Sequence, residues 1–408
     1  MNNQTYINRK PVIVISLLTA ACLLGDSMLY VVLPIHWQEV GLASLWEVGI
    51  LLSVNRMVRL PLNPLVGWLY GKMSSRSGIL FAGILATCTT LSYAVFKGFI
   101  FWLILRCIWG IAWTFLRLGG YFTILEVSSD SNRGYYMGMY NGLYRLGSLG
   151  GMLIGGFLAD RFGIGITALF FGTVTFLAIP FTFRLIPVAG PQEREENKPI
   201  DLSAIVNSNV IWTLVTGLFI AMIYQGAFTS TLSYLIQTHN SATILIAGVS
   251  IGAASLAGIL QALRWGWEPW LAPWFGRVSD GRFGRRTILT VTFVFAALLF
   301  LLVPVQLPLG LWLMLIMTIL LTATILTTVI DAAACDVASC SSQKVFMTAY
   351  SFSIDIGAAL GPLTAFTLND IWGPYAIYRV IAVTFLALAV KWLVWPISIY
   401  GKGKSLTC

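Results

Sequence analysis

Twelve charged side chains interrupt long apolar runs of this sequence, and their chemistry sets the first question. The bases are Arg56, Arg59, Arg106, Arg117, Arg145, Arg264, Arg379 and Lys391; the acids are Asp26, Glu268, Asp331 and Asp355. Glu126 and Asp336 stand near the ends of such runs. An ionisable group at mid-bilayer depth costs a few kcal/mol even on insertion scales, so each marks a partner or an aqueous path. Lys391, Arg379 and Arg117 have stems long enough to snorkel to an interface. Asp26 does not. A carboxylate that alternates between pairing with an arginine and binding a proton has the chemistry of a proton carrier, because the cation tunes its affinity. Asp26 and Arg106 are the candidates, and they read equally as a static buried ion pair.

Further polar and aromatic residues could line a ligand site. Tyr30 accompanies Asp26 on the first run. Tyr224 and Gln225 head a cluster with Thr229, Ser230, Thr231, Ser233 and Tyr234, and Thr328 and Asp331 follow Thr324 and Thr327 on a later run. Hydrogen bonding between helices accounts for such residues as well. Trp109 and Trp113 suit a planar or apolar ligand, or plain packing. The six cysteines (Cys22, Cys88, Cys107, Cys335, Cys340, Cys408) have no paired spacing and His36 lies far from His239, so no disulfide framework, metal site or cofactor is expected.

Composition says what must position these groups. Of 408 residues, 58% are hydrophobic and 10% charged, with mean hydropathy +0.83. Soluble domains carry about 25% charged residues, so a soluble globular protein is excluded. The net charge of +9 would point to nucleic acid only if it formed a soluble basic patch, and here the bases sit in short loops or apolar runs. At ~20 apolar residues per span, the sequence predicts twelve helices, over 11–36, 44–70, 77–97, 99–125, 134–161, 165–186, 209–236, 242–275, 287–305, 308–334, 345–371 and 375–400. The stretch 187–208, with three prolines and charges of both signs, reads as a linker. The expected organisation is an N-terminal six-helix bundle over 1–186, the cytoplasmic linker 187–208 and a C-terminal six-helix bundle over 209–408. The first apolar run is of span length with no small-residue cleavage site after it, so it reads as a helix and not a leader.

Base placement predicts orientation. With the N-terminus inside, 15 bases fall in cytoplasmic segments against Lys97 and Arg161 outside, which places both termini in the cytoplasm. The halves also resemble each other. Residues 126–156 align on 336–366 at offset 210 with eight identities, among them Tyr140/Tyr350, Gly147/Gly357 and Gly151/Gly361. A second block at offset 209 pairs Gly49-Ile50-Leu51 with Gly258-Ile259-Leu260 and Gly67 with Gly276. A duplicated unit with like orientation is a parallel repeat about an axis along the membrane normal.

An all-α membrane protein of twelve helices in two parallel-repeated bundles resembles the major facilitator superfamily, and four motifs carry the likeness. GRVSDGRFGRR (Gly276, Asp280, Gly284, Arg285, Arg286) is similar to the family's loop 8–9 pattern, with one extra residue after the acid. Its copy after Gly67 has Gly71 where the acid should be. Arg106-x-x-Trp109-Gly110 matches R-x-x-Q-G with Trp for Gln. Gly147-x-x-x-Gly151-Met152-x-x-Gly155-Gly156 resembles the antiporter signature without its proline; Gly357-x-x-x-Gly361-Pro362 carries the Gly-Pro form. Small residues that let helices approach closely explain that stripe too.

The resemblance implies a transporter working by alternating access. It implies that spans 1 and 4 line the cavity, which would let Asp26 and Arg106 meet at similar depth, and that Asp280 gates the cytoplasmic side by capping span 5 near Gly134. It also implies charge pairs between the halves: Arg145 with Glu268, and Asp355 with Arg56 or Arg59, all about 12–17 Å from the cytoplasmic ends at 1.5 Å per residue. The leading expectation is proton-coupled efflux of a small organic molecule, most like the drug or metabolite antiporter branch. The alternative is transport or exchange of an anionic metabolite or siderophore, favoured by the arginine-rich interior. A membrane-embedded enzyme is the remote third reading, since no reactive cluster is evident. The expected partners are substrate, protons and the bilayer, with no nucleic acid. The chain is expected to work as a monomer, in the inner membrane if bacterial.

Overall fold

The computed structural model describes residues 10–127, 133–185, 208–240, 243–246, 249–281, 284–339 and 343–394. The chain runs through α1 (Lys10–His36), α2 (Leu45–Tyr70), α3 (Ser75–Ser92), α4 (Phe99–Val127) and α5 (Arg133–Leu185). Then come α6 (Ser208–Ile220), a π-helical stretch (Ala221–Phe228) and α7 (Thr229–Asn240). A short hairpin, β1 (Thr243–Ile246) and β2 (Val249–Gly252), precedes α8 (Ala253–Asp280). The remaining helices are α9 (Gly284–Leu302), α10 (Leu309–Ser339), α11 (Gln343–Trp372) and α12 (Ala376–Val394).

Two expectations are corrected. The helix expected over 242–275 begins at Ala253, because Thr243–Ile246 pairs with Val249–Gly252; apolar β-branched runs of four cannot be told from helix by periodicity. The fold is therefore helical with one small two-stranded hairpin. The spans expected over 134–161 and 165–186 are two helices that share the label α5 and meet at a kink at Gly163, whose φ of 78° glycine adopts freely. Of the linker expected over 187–208, Ser208 begins α6 and 187–207 lie outside the described residues, as do residues 395–400.

Among the described residues, eight helical segments are long and apolar enough to cross a membrane, and one of them, Tyr136–Pro180, contains the kink at Gly163. α2 and α8 are not among them: α2 carries Glu47, Arg56 and Arg59, and α8 carries Arg264, Glu268, Arg277 and Asp280. Outward apolar stripes such as Val291, Phe295 and Leu298 on α9 are exposed, as a surface against lipid tails requires.

Two compact units emerge. The first holds α1, α2 from Val54, α3, α4, α5 and Ile251–Ile259. In it α1 lies along α5, and α3 against α4 and α5. The second holds Ser44–Ser53, the chain from α6 to Ser250 and the chain from Leu260, with α11 against α6 and the π-helical stretch, and α12 against α9. Glycines set the closest approaches. A Cβ at Gly151 would stand 2.5 Å from the Leu24 carbonyl oxygen, and one at Gly147 would overlap that of Ala20. In the second unit Gly357 and Gly361 press likewise on the carbonyls of Leu218 and Met222. The glycine stripe thus has a packing role on the helix it faces.

Candidate functional site

The site grows from α1. Asp26 is 4% exposed and Arg106, on α4, is fully buried. The Arg106 Nη1 donates to Asp26 Oδ1 in a short ion pair. Asn55 Nδ2, from α2, donates to the same oxygen at 3.1 Å. Two glycines let these helices close in. A Cβ at Gly110 would stand 2.7 Å from the Asn55 carbonyl oxygen, and one at Gly25 would stand 2.5 Å from Thr90 Cγ2. The glycine of Arg106-x-x-Trp109-Gly110 therefore makes room for the strand of α2 backbone that carries Asn55. Sequence reading missed Asn55; its signal was an amide next to Arg56 inside an apolar run.

Around the pair sits an arginine-aromatic cluster. Arg56 Nε donates to Tyr30 Oη at 3.1 Å. Trp109 and Trp113 stack with ring centroids 5.8 Å apart, and the Arg59 guanidinium lies 5.7 Å from the first ring and 5.2 Å from the second. Tyr144 meets Trp113 edge-on, and Leu23 completes the cluster. The Nε1 of each tryptophan is buried with no hydrogen-bond partner among the described residues. Buried donors of this kind ask for an acceptor that a ligand or water would bring.

The second unit holds the other candidates. Tyr224 is buried, its hydroxyl 2.8 Å from Thr322 Oγ1 and its ring stacked on Phe385. It sits in the π-helical stretch, where Thr229 Oγ1 donates to the Tyr224 carbonyl at 2.7 Å. π-Helical turns recur at functional sites, and no residue pattern had announced this one. Gln225 and Thr328 are half-buried, whereas Asp331 is exposed and accepts from Tyr350 Oη at 2.7 Å.

At the loop between α8 and α9, Arg285 bridges two carboxylates, Asp280 at 2.9 Å and Asp336 at 3.0 Å. Arg286 Nε donates to the Trp392 carbonyl at 2.7 Å, closing the end of α12. Gly284 takes a φ of +71° to start α9. Gly67 is half-buried near the end of α2, and Gly276 has Thr328 as the neighbour of its open face. From sequence, Asp336 reads only as an acid near a span end; its pairing with Arg285 follows from its place on α10. Of the remaining charges, Arg145 is exposed, and Arg56, Arg59, Glu268 and Asp355 are half-buried. Glu268 Oε2 is buried with no hydrogen-bond partner among the described residues.

Long apolar helices enclosing buried charge define a multi-pass integral membrane protein. The family model of the Major Facilitator Superfamily matches residues 15–267, and the chain belongs to that superfamily: it is a transporter-family protein with a small-molecule substrate. The multidrug resistance protein MdtG of Klebsiella pneumoniae (strain 342) is 24% identical over 373 residues, covering 88% of this chain and 86% of its own length. An uncharacterised MFS-type transporter of Methanocaldococcus jannaschii is 25% identical over 406 residues, covering 93% and 97%. Among solved structures, an inward-facing bacterial homologue of the human lysosomal transporter Spinster matches 96% of this chain and 97% of its own with TM-score 0.71 at 14% identity. A POT family transporter matches 96% of each chain, also at 0.71, with 10% identity. These two likenesses establish the fold.

Proposed function

We propose that the chain is a proton-coupled exporter of small organic molecules, working as a monomer by alternating access. Twelve spans in two six-helix bundles, with both termini cytoplasmic, would carry it. The observation behind the coupling is the buried Asp26–Arg106 pair, joined by Asn55. A proton on Asp26 would release Arg106 and change what the site attracts; a proton lost would restore the pair. Neutralising this carboxylate would alter the local field by a full charge in a medium of low dielectric. The multidrug relatives support the direction of transport. The superfamily match supports reading the cluster as part of a carrier.

A second reading keeps the carrier and makes its cargo an anion. Arg59 over the Trp109–Trp113 stack, with two indole donors that have no acceptor among the described residues, would suit a planar ring bearing a carboxylate, sulfonate or phosphonate. The experiment is a proton-flux assay in proteoliposomes carrying a lumenal pH dye, with ethidium and naphthalene-1-sulfonate as probes. Proton movement driven by either probe in the wild type supports coupling. Ethidium favours the first reading and the sulfonate the second. Probe movement with no proton flux would contradict the coupling.

A further inference from the structure

At the far end of α1 from Lys10, a second titratable cluster lies outside the Asp26 site. His36 Nδ1 is 2.6 Å from Glu39 Oε1, and its Nε2 is 3.9 Å from Asp160 Oδ1 on α5. The other oxygen of Asp160 accepts from the Ser255 backbone N at 2.7 Å and from Ser255 Oγ at 2.5 Å. Asp160 therefore caps the first turn of α8, where orphan amides and the positive helix end favour an anion. Gly252 makes the fit possible, since a Cβ there would overlap the Asp160 carboxylate. All these residues belong to the first compact unit.

The bond to Glu39 fixes the tautomer. Nδ1–H donates to Glu39, so Nε2 is the open proton acceptor. Nε2 is buried and has no hydrogen-bond partner among the described residues. In the neutral ring its lone pair stands near a carboxylate oxygen, an arrangement that a proton relieves. Glu39 and Asp160 are the electrostatic partners of His36. Within the first unit the other charged groups at this end are Arg161, next to Asp160 on α5, and Lys97, whose Cβ is 3.5 Å from the space beside Gly41; Val249–Leu256 contributes no charge.

We infer that His36, Glu39 and Asp160 form a second proton-binding site, whose occupancy latches α5 to the first turn of α8. The protonated imidazole donates to Glu39 and Asp160 at once, holding the Asp160 carboxylate over the Ser255 amide. The latched arrangement binds the proton more tightly than the open one. Its stabilisation is thus fully present at low pH and fades as pH rises through the histidine range, near ~6.5 for an ordinary imidazole. The inference deepens the proposed function. With both termini cytoplasmic, this end of α1 is external, so an external proton is the one that sets the latch.

The test is hydrogen–deuterium exchange of the Ala253–Leu256 amides, in full-length protein in lipid nanodiscs at pD 5.5 and 8, corrected for intrinsic rates. Wild-type protection should be about tenfold higher at the lower pD, the factor that one unit of affinity difference carries. His36→Gln should remove that pH dependence and leave protection at pD 8 unchanged. Gly252→Ala should lower protection at both values by displacing Asp160. Asp26→Asn should keep the wild-type response, so failure of the Asp26 reading and failure of this one are distinguishable. Equal pH dependence in wild type and His36→Gln, protection that falls on acidification, or loss of protection in His36→Gln at pD 8 would overturn the inference.

Discussion

Asp26 and Arg106, 80 residues apart in sequence, meet through a single carboxylate oxygen that Asn55 also contacts. Three helices thus converge on one atom, which makes the pair sensitive to either partner. Removing one member of a buried pair typically costs ~3–5 kcal/mol, because the other is left charged in a poor solvent. Arg106→Ala should therefore lower thermal stability and abolish transport. Adding Asp26→Asn should restore stability but not coupling. Unfolding midpoints of the three variants in one detergent check this, and a double variant as unstable as Arg106→Ala would count against the pairing.

Gly110 sits where α4 touches the α2 backbone at Asn55. Gly110→Ala forces the helices apart and should cost about 1–3 kcal/mol, the usual range for overpacking, along with proton-coupled flux. Gly138, whose Cβ position is open, supplies the control: Gly138→Ala should leave both unchanged. Similar midpoints in the two variants would show that the close approach at Gly110 is dispensable.

The loop after α8 is held by Arg285 between Asp280 and Asp336, whereas its repeat copy has Gly71 in place of the acid. We propose that Asp280 stabilises the closed cytoplasmic side. Asp280→Asn should shift the resting population towards inward-open far more than Gly71→Ala, as read by labelling of single cysteines placed in the cytoplasmic mouth. Equal labelling in both variants would defeat this asymmetry.

Arg145 and Glu268 are proposed to form a charge pair between the halves, with Asp355 and Arg56 or Arg59 as its repeat counterpart. Arg145→Glu should collapse transport or expression, and adding Glu268→Arg should recover part of it. Uptake and expression of the single and double variants decide; no recovery in the double variant removes the pairing.

Much of the helical framework was legible because membrane spans announce themselves by composition. α1, expected over 11–36, runs from Lys10 to His36, and α4, expected over 99–125, runs from Phe99 to Val127. The hairpin before α8 was not legible, since short apolar runs fit helix and strand alike, nor was the π-helical turn at Tyr224, where Gly226 comes close to Gly361. At the site, unusual charge in an apolar run singled out Asp26 and Arg106. Asn55 escaped because an amide costs less to bury than a charge and so stands out less. The Asp160 cap on α8 escaped as well, because its partner is a backbone amide and no side-chain pattern records it.

The central claim is that Asp26 carries the coupled proton. Its direct measurement compares wild type and Asp26→Asn in proteoliposomes, with ethidium and naphthalene-1-sulfonate as probes, under an imposed pH gradient and then in exchange at equal pH. For whichever probe the wild type moves, the account predicts that Asp26→Asn loses gradient-driven accumulation and keeps exchange, because exchange needs no net proton release. Gradient-driven accumulation at the wild-type level in Asp26→Asn would contradict it.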